Sequence, residues 1–227
     1  MPVRTFWPRS PAPGNVGDIL TPWMMRRDGV EPEWTPKDKP GKLLGIGSTV
    51  RFAQPGDEVW TSGIMRKGQG GDPAATYRAL RGPLTAATMG LAGLPLGDGA
   101  LCLPRYYKPR PFQPEPKGAP LTFALGAVPH YVDWATDELP REWFGPDAIR
   151  ISPLTINVEG FIDAVCACAR IESSSLHGCI IAEAYGVPWK WVRIGDRLSG
   201  DDSKFEDFRL SLPHVNVDDL MEARPWT

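Results

Sequence analysis

Six consecutive residues, Ser173, Ser174, Ser175, Leu176, His177 and Gly178, stand directly in front of an apolar run that ends at Gly186, Val187 and Pro188. The run has the composition of a helix, so the serines and the histidine fall at its amino terminus. The first backbone N–H groups of a helix lack intrahelical partners and carry a partial positive charge. With Ser173, Ser175 and Gly178 beside them, they make a cradle for a phosphate or a carboxylate. A histidine next to such an anion can protonate or orient whatever the anion carries. The same residue types also serve structure alone: the serines can cap the helix and His177 can pack as an ordinary side chain. Glu183 lies six residues after His177, on another face of the helix. It is read either as a contact to a polar ligand or as a solvated or ion-paired carboxylate.

Such a group needs strands and loops to position it. "VRTFW" is short and β-prone, and a Pro/Gly loop and a candidate helix follow it. "GKLLGIGSTV" reads as a buried strand running into a glycine-rich turn. "DEVWTSGIM" repeats that design, with apolar Val59 and Trp60 followed by small Ser62 and Gly63. "YRALRGPLTAATMGL" reads as helical, with Pro83 as an interruption or a new first turn. "LPLGDGALCLP" gives a further strand and loop. The segment from Arg105 to Pro120 is dense in proline and is expected to be neither helix nor sheet core. Beyond it, "LTFALGAVPHYVDW" and "IRISPL" read as strands, "NVEGFIDAVCACARI" as an amphipathic helix, "CIIAEAYG" as a helix and "PWKWVRIG" as a strand.

Short strands alternating with helices indicate an α/β fold with parallel sheets. Two such series around a proline-rich segment predict two Rossmann-like domains facing across a cleft. The expected domains are residues 1–110 and 121–227, with a linker over 111–120. Ligands of open α/β sheets bind beyond the carboxyl ends of the strands. That rule gathers Gly47, Ser62, Gly63 and His177 near one cleft.

Composition excludes several classes. The chain has 227 residues and a net charge of −2, with a sequence pI of about 6.0, so no nucleic-acid surface is expected. An apolar fraction of 42% excludes global disorder. The 25 prolines and 24 glycines cluster between apolar segments and read as tight loops. Cys102, Cys166, Cys168 and Cys179 lack metal-binding spacing and clustered partners, so they are read as structural thiols and no metal is expected. No apolar run reaches the ~18 residues of a membrane span. With no signal-like amino terminus, a cytoplasmic protein with reduced thiols is expected. The nine tryptophans are read first as core and second as platforms for sugar rings. His130 ends a strand of the second half and either lines the cleft or packs, and His214 sits in a loop.

"SSSLHGCIIAEAYGVPW" resembles the carboxyl-terminal signature of the polysaccharide pyruvyl transferase family, S-x-R-L-H-G followed by an apolar helix and G-x-P. Other motifs match in the same order. "GNVGDILTPWM" resembles the family's amino-terminal Gly-Asp motif, and "GIGSTV" and "VWTSGI" resemble its paired Gly-Ser loops. "RGPLTAATMGL" with "LGDGAL" resembles its R-G-P-x-T segment and the Gly-Asp strand after it. "DDSKFEDF" resembles its acidic carboxyl-terminal block. Each motif is short, but together, in order, they cover most of the chain.

The resemblance implies a two-domain fold of GT-B type. It also implies transfer of the enolpyruvyl unit of phosphoenolpyruvate onto a sugar of a bacterial exopolysaccharide or its lipid-linked precursor, giving a pyruvate ketal. Such chemistry needs an acid for the methylene carbon, cations for the carboxylate and phosphate, and a base for the sugar hydroxyl. By resemblance, His177 is the acid. Asp18 is the base or positions the sugar, with helix capping as its structural alternative. Arg81 grips an anion, with a surface arginine as its alternative. One departure stands out: Ser175 occupies the position where the family usually carries arginine. The Ser175 hydroxyl, backbone N–H groups or Lys204 would then supply anion binding, although some exopolysaccharide ketal transferases carry a similar serine. Neither a cofactor beyond the donor substrate nor a metal is implied. The partners implied are phosphoenolpyruvate and a saccharide or lipid-linked oligosaccharide, with peripheral association at the inner membrane. A GT-B glycosyltransferase using a nucleotide sugar, and a non-catalytic sugar-binding relative, are the competing readings.

Overall fold

The computed structural model describes residues 2–110, 123–134, 136–198 and 200–227. The fold is α/β, built as two compact units. The first comprises residues 2–9, 17–102 and 200–227, and the second comprises residues 10–16, 103–110 and 123–198. This grouping divides the chain differently from the boundaries expected above. Residues 200–227 pack with the first unit rather than the second, and residues 103–110 with the second rather than the first. The linker expected over 111–120 lies outside the described residues.

The first unit holds a five-stranded sheet of β1 (Val3–Phe6), β2 (Pro32–Trp34), β3 (Leu43–Leu44), β4 (Glu58–Ser62) and β5 (Thr76–Leu80). The order is β2-β1-β3-β4-β5 and all pairs are parallel. Parallel strands are covered on both faces, which explains why the ends of β1, β3 and β4 read as apolar runs. Phe6, Leu44, Val50, Val59, Ile64 and Leu80 form the core here. Helix α1 (Val16–Arg27) follows β1, and α2 (Pro83–Met89) follows β5.

"YRAL" is the second half of β5 and not the start of a helix. Its backbone is committed to β4, with Val59 opposite Tyr77 and Trp60 opposite Ala79. The helix starts at Pro83, whose missing N–H costs nothing at a first helical position, and ends at Gly90 in the left-handed region, φ 66°.

The second unit holds β6 (Leu125–Val128), β7 (Ala148–Arg150), β8 (Ile171–Ser173) and β9 (Trp189–Trp191), again all parallel, in the order β7-β6-β8-β9. Leu125, Ala127, Leu139, Trp143 and Ile194 form a core cluster. Helix α3 (Val158–Cys166) is capped by Asn157, whose side chain accepts from the Gly160 N–H. Helix α4 (Leu176–Ala184) is buried from Leu176 through Ala182, as expected for a helix that is apolar all round. The carboxyl-terminal helices α5 (Ser203–Ser211) and α6 (Val217–Glu222) belong to the first unit. No helix among the described residues is long and apolar enough to cross a membrane.

Candidate functional site

In both sheets the strand order reverses beside the first strand, between β1 and β3 and between β6 and β8. At such a switch point neighbouring connections leave in opposite directions and open a crevice at the carboxyl ends. Asp18 and Gly47 follow β1 and β3 beside the first point, and the serine cluster with His177 follows β8 beside the second.

In the first unit, the glycine-rich turn after β3 and the end of β4 are laced together. Ser62 Oγ donates to the Gly47 carbonyl at 3.1 Å, and the Gly63 N–H donates to the same carbonyl at 3.0 Å. Ser62 Oγ also accepts from the Thr49 N–H at 3.2 Å and pairs with the Thr49 hydroxyl at 2.8 Å. Gly47 sits at φ +122°, open to glycine and strained for other residues. Thr61, a β-branched residue, is held at φ 59° where the β4–β5 register shifts. Such an irregularity re-aims a side chain at the end of a strand, and here the next side chain is Ser62. Ser62 and Gly63 are both buried, so the Ser62 hydroxyl and the Gly63 backbone brace the loop rather than face a ligand.

Arg81 is also buried, at 0% exposure. Its Nε donates to Asp207 Oδ2 at 3.2 Å, Nη1 to Ser48 Oγ at 3.0 Å, and Nη2 to the Ile64 carbonyl at 2.5 Å. It therefore stands neither at the surface nor as an open anion fork. Asp207, on α5, takes three further roles from Thr85 and Gly82. The Thr85 N–H donates to Oδ1 at 3.0 Å and the Thr85 hydroxyl to Oδ2 at 2.6 Å. A side chain at Gly82 would strike the Asp207 backbone, and one at Gly63 would strike the Arg81 guanidinium. The R-G-P-x-T segment is thus a socket for α5.

Three residues before Asp207 on the same helix, Lys204 is 6% exposed, and its charge acts on Asp18. Asp18 is the third residue of α1, inside its first turn and not at the cap position. Its Oδ1 lies 3.7 Å from the position of a β-carbon built on Gly47. Burial pushes the Asp18 carboxyl up to about 7, and Lys204 opposes that rise. Asp18, Gly47 and Ser48 thus lie in the segments that follow β1 and β3, beside the switch point, and the charge of Lys204 reaches Asp18. Asp98, in "LGDG", is likewise raised by burial, to about 6, against the pull of the Ala100 N–H and Arg81.

In the second unit, β8 runs into the serine cluster and α4. Ser173 Oγ lies 2.8 Å from the carbonyls of both Val128 and Ser175 and accepts from the Ser175 N–H at 3.0 Å. Ser174 Oγ donates to Asp133 Oδ2 at 2.8 Å and accepts from the His130 N–H at 2.8 Å. Ser175 occupies the cap position of α4, but its hydroxyl makes no capping bond. The serines therefore tie the β8 end to the loop after β6, and only Ser175 keeps a hydroxyl uncommitted to that brace. Gly178 is needed for packing: a β-carbon there would meet Ser173 Oγ and Val128 Cγ1, the latter at 2.9 Å. His177 follows in the first turn of α4 at 7% exposure.

Asp133, Asp207 and Ser48 went unread in the sequence. Asp133 is fully buried, accepts from Ser174 and lies 3.8 Å from Arg197 Nε. Asp207 and Ser48 gather around Arg81. Asp207 lay inside a quoted motif, where its spacing of three from Lys204 was the available signal. Glu183, at the far end of α4, accepts from Trp189 Nε1 at 2.5 Å. Among the described residues no group of three His, Cys, Asp or Glu side chains is placed to hold a metal.

No family model matches the chain, and no solved structure matches it. The chain is similar to the "Uncharacterized protein L143" of Acanthamoeba polyphaga mimivirus, with 34% identity over 127 residues. That stretch takes in 55% of this chain and 42% of the viral protein, less than half of the latter's length.

Proposed function

We propose that the protein is a polysaccharide pyruvyl transferase, moving the enolpyruvyl unit of phosphoenolpyruvate onto a saccharide and closing a pyruvate ketal. The supporting observation is positional. Asp18, Gly47 and His177, read from separate motifs, all lie in the loops or first helical turns at the switch points of parallel sheets. The finer readings, a GT-B type pairing of two Rossmann-like domains and a cytoplasmic setting, belong to this proposal.

In this reading, protonated His177 gives its proton to the methylene carbon of phosphoenolpyruvate. C2 becomes an oxocarbenium centre and takes the oxygen of one sugar hydroxyl. The C2–O bond to phosphate then breaks, phosphate leaves with the electron pair, and the second hydroxyl closes the ketal. Two hydroxyl protons are released: one restores His177, and the other is taken by Asp18 and passed on to phosphate or solvent. Asp18, with a carboxyl pushed up to about 7, is matched to accept a hydroxyl proton near neutral pH. Arg81 acts at one remove: through Ser48 and Asp207 it fixes the loop that lies against Asp18.

The test is phosphate release from phosphoenolpyruvate in the presence of nitrophenyl or lipid-linked glycosides. Replacing the acid in His177→Ala should lower turnover by about 10²–10⁴-fold. Full turnover in that variant removes the acid assignment. Calorimetric binding of a uridine-diphosphate sugar, without binding of phosphoenolpyruvate, favours a glycosyltransferase instead.

A further inference from the structure

The first unit carries three cations that none of the roles above uses. Lys37 follows β2, Arg51 follows the turn after β3, and Arg66 follows β4. The Lys37 ammonium and the Arg51 guanidinium share one ring, lying 5.1 Å and 4.3 Å from the Phe52 centroid. That ring is fixed in turn, edge-on to Phe6 at a centroid distance of 5.5 Å. Arg51 Nη1 donates to the Ser48 carbonyl at 2.8 Å. The guanidinium is therefore held on the same turn whose hydroxyl receives Arg81 and whose Gly47 neighbours Asp18. Burial, and then the charge of Arg66, lowers the pKa of Arg51, so the two guanidinium groups feel one another.

Three other cations of this unit are each tied to an acid. Lys42 pairs with Asp57, Arg78 with Glu58 and Arg81 with Asp207. Among the described residues, neither Lys37, Arg51 nor Arg66 pairs with a carboxylate. Like charges drawn together without a counter-charge raise the energy of the bare protein, and an anion at that place lowers it. A single carboxylate is satisfied by one guanidinium fork. Three separate heads, one of them pinned to Ser48 and two sharing a ring, suit a group with several anionic oxygens.

We propose that Lys37, Arg51 and Arg66 form a binding subsite for a diphosphate group, such as one that joins a saccharide to its carrier. The subsite goes beyond the transferase reading and does not depend on it, because it is defined by charge and needs no turnover. The experiment is calorimetric titration of the whole chain with inorganic pyrophosphate at low and high ionic strength. Saturable binding that weakens with salt is expected. The double variant R51Q/R66Q should lose about tenfold or more in affinity, the scale of one charge-assisted hydrogen bond. Arg66→Glu reverses an exposed charge without touching the Phe52 stack, so it reports on the subsite even if the double variant is poorly folded. Arg78→Gln, an exposed arginine paired elsewhere, should bind as the parent does. His177→Ala should also bind pyrophosphate normally, which separates this subsite from any failure of catalysis. Competition by uridine diphosphate against competition by a short isoprenyl diphosphate tells a nucleotide carrier from a lipid one, and either result supports the subsite. The proposal is overturned by an absence of saturable binding, or by unchanged affinity in Arg66→Glu. It is equally overturned if the chain binds phosphatidylglycerol vesicles but not pyrophosphate, which marks a diffuse membrane-facing patch.

Discussion

Asp207→Asn isolates the contact on which the first unit's site is built. Both Asp207 and Arg81 are 0% exposed. The carboxylate takes the Arg81 Nε–H at 3.2 Å and both Thr85 donors at 3.0 and 2.6 Å. Asparagine keeps the shape but removes the charge, and one of its two positions becomes a donor. That donor faces either the Thr85 N–H or the Arg81 Nε–H, so one hydrogen bond turns repulsive and the guanidinium stays buried without its counter-charge. Removing one partner of a buried pair costs about 3–5 kcal/mol. For a chain of this length that is a fall of about 10 °C in melting temperature. Urea unfolding followed by near-ultraviolet circular dichroism measures it. Arg209→Ala provides the contrast on the same helix: its pair with Glu206 has side chains 62% and 45% exposed, and such solvent-screened pairs contribute little to stability. If Asp207→Asn unfolds within about 1 kcal/mol of the parent, the socket described for α5 does not hold the helix and the reasoning fails.

Other outcomes follow from the same contacts. The folded chain keeps the Asp18 carboxyl up to about 7 against an ordinary 3.8. The folded state therefore holds a proton that the unfolded chain releases, and stability falls as pH rises from about 4 to about 7. Asp18→Asn removes that decline, so its urea midpoint relative to the parent should be higher at pH 8 than at pH 5, and a parallel pair of curves refutes the assignment. Gly178→Ala puts a β-carbon against Ser173 and Val128 and should cost about 1–3 kcal/mol in urea unfolding, although alanine is the better helix former. Burial pushes the thiols of Cys166 to about 11 and of Cys168 and Cys179 to about 12. Mass spectrometry should find all three slow to react with iodoacetamide at neutral pH until the chain is unfolded.

The sequence was legible wherever one physical rule acted alone. Buried parallel strands showed as apolar runs, and Gly-Val-Pro closed α4. Tyr77 and Leu80 misled because a helix former, a basic residue and an apolar residue alternate there as readily on a helix as on a strand. The decision came from β4, which lies far along the chain. The serine cluster was legible as polar and misread in detail. Hydroxyls at a helix start suggest caps, yet Ser173 and Ser174 are turned toward Val128, Asp133 and the His130 backbone. Those partners are supplied by β6 and its loop, which no local pattern around Ser174 announces. Arg81 is the sharper case. An arginine next to Gly-Pro looks exposed, and only Asp207 and Thr85 together make its burial affordable.

Helix α5 brings two buried charged side chains to the first unit. One helix face sets Lys204 toward Asp18 and Asp207 toward Arg81, three residues apart and so on one side of the helix. Within the first unit Arg81 offers no open charge, because its guanidinium is fully occupied in its socket. What remains in the first unit is Lys204, whose charge acts on the Asp18 carboxyl, and the cations around Phe52. An anion drawn to this unit therefore meets fixed charges set by loops after β2, β3 and β4 and by α5. Changing Ser175 alone leaves every one of those charges in place. Within the first unit, then, the fixed positive charges come from Lys204 and the cations around Phe52, whatever residue stands at position 175.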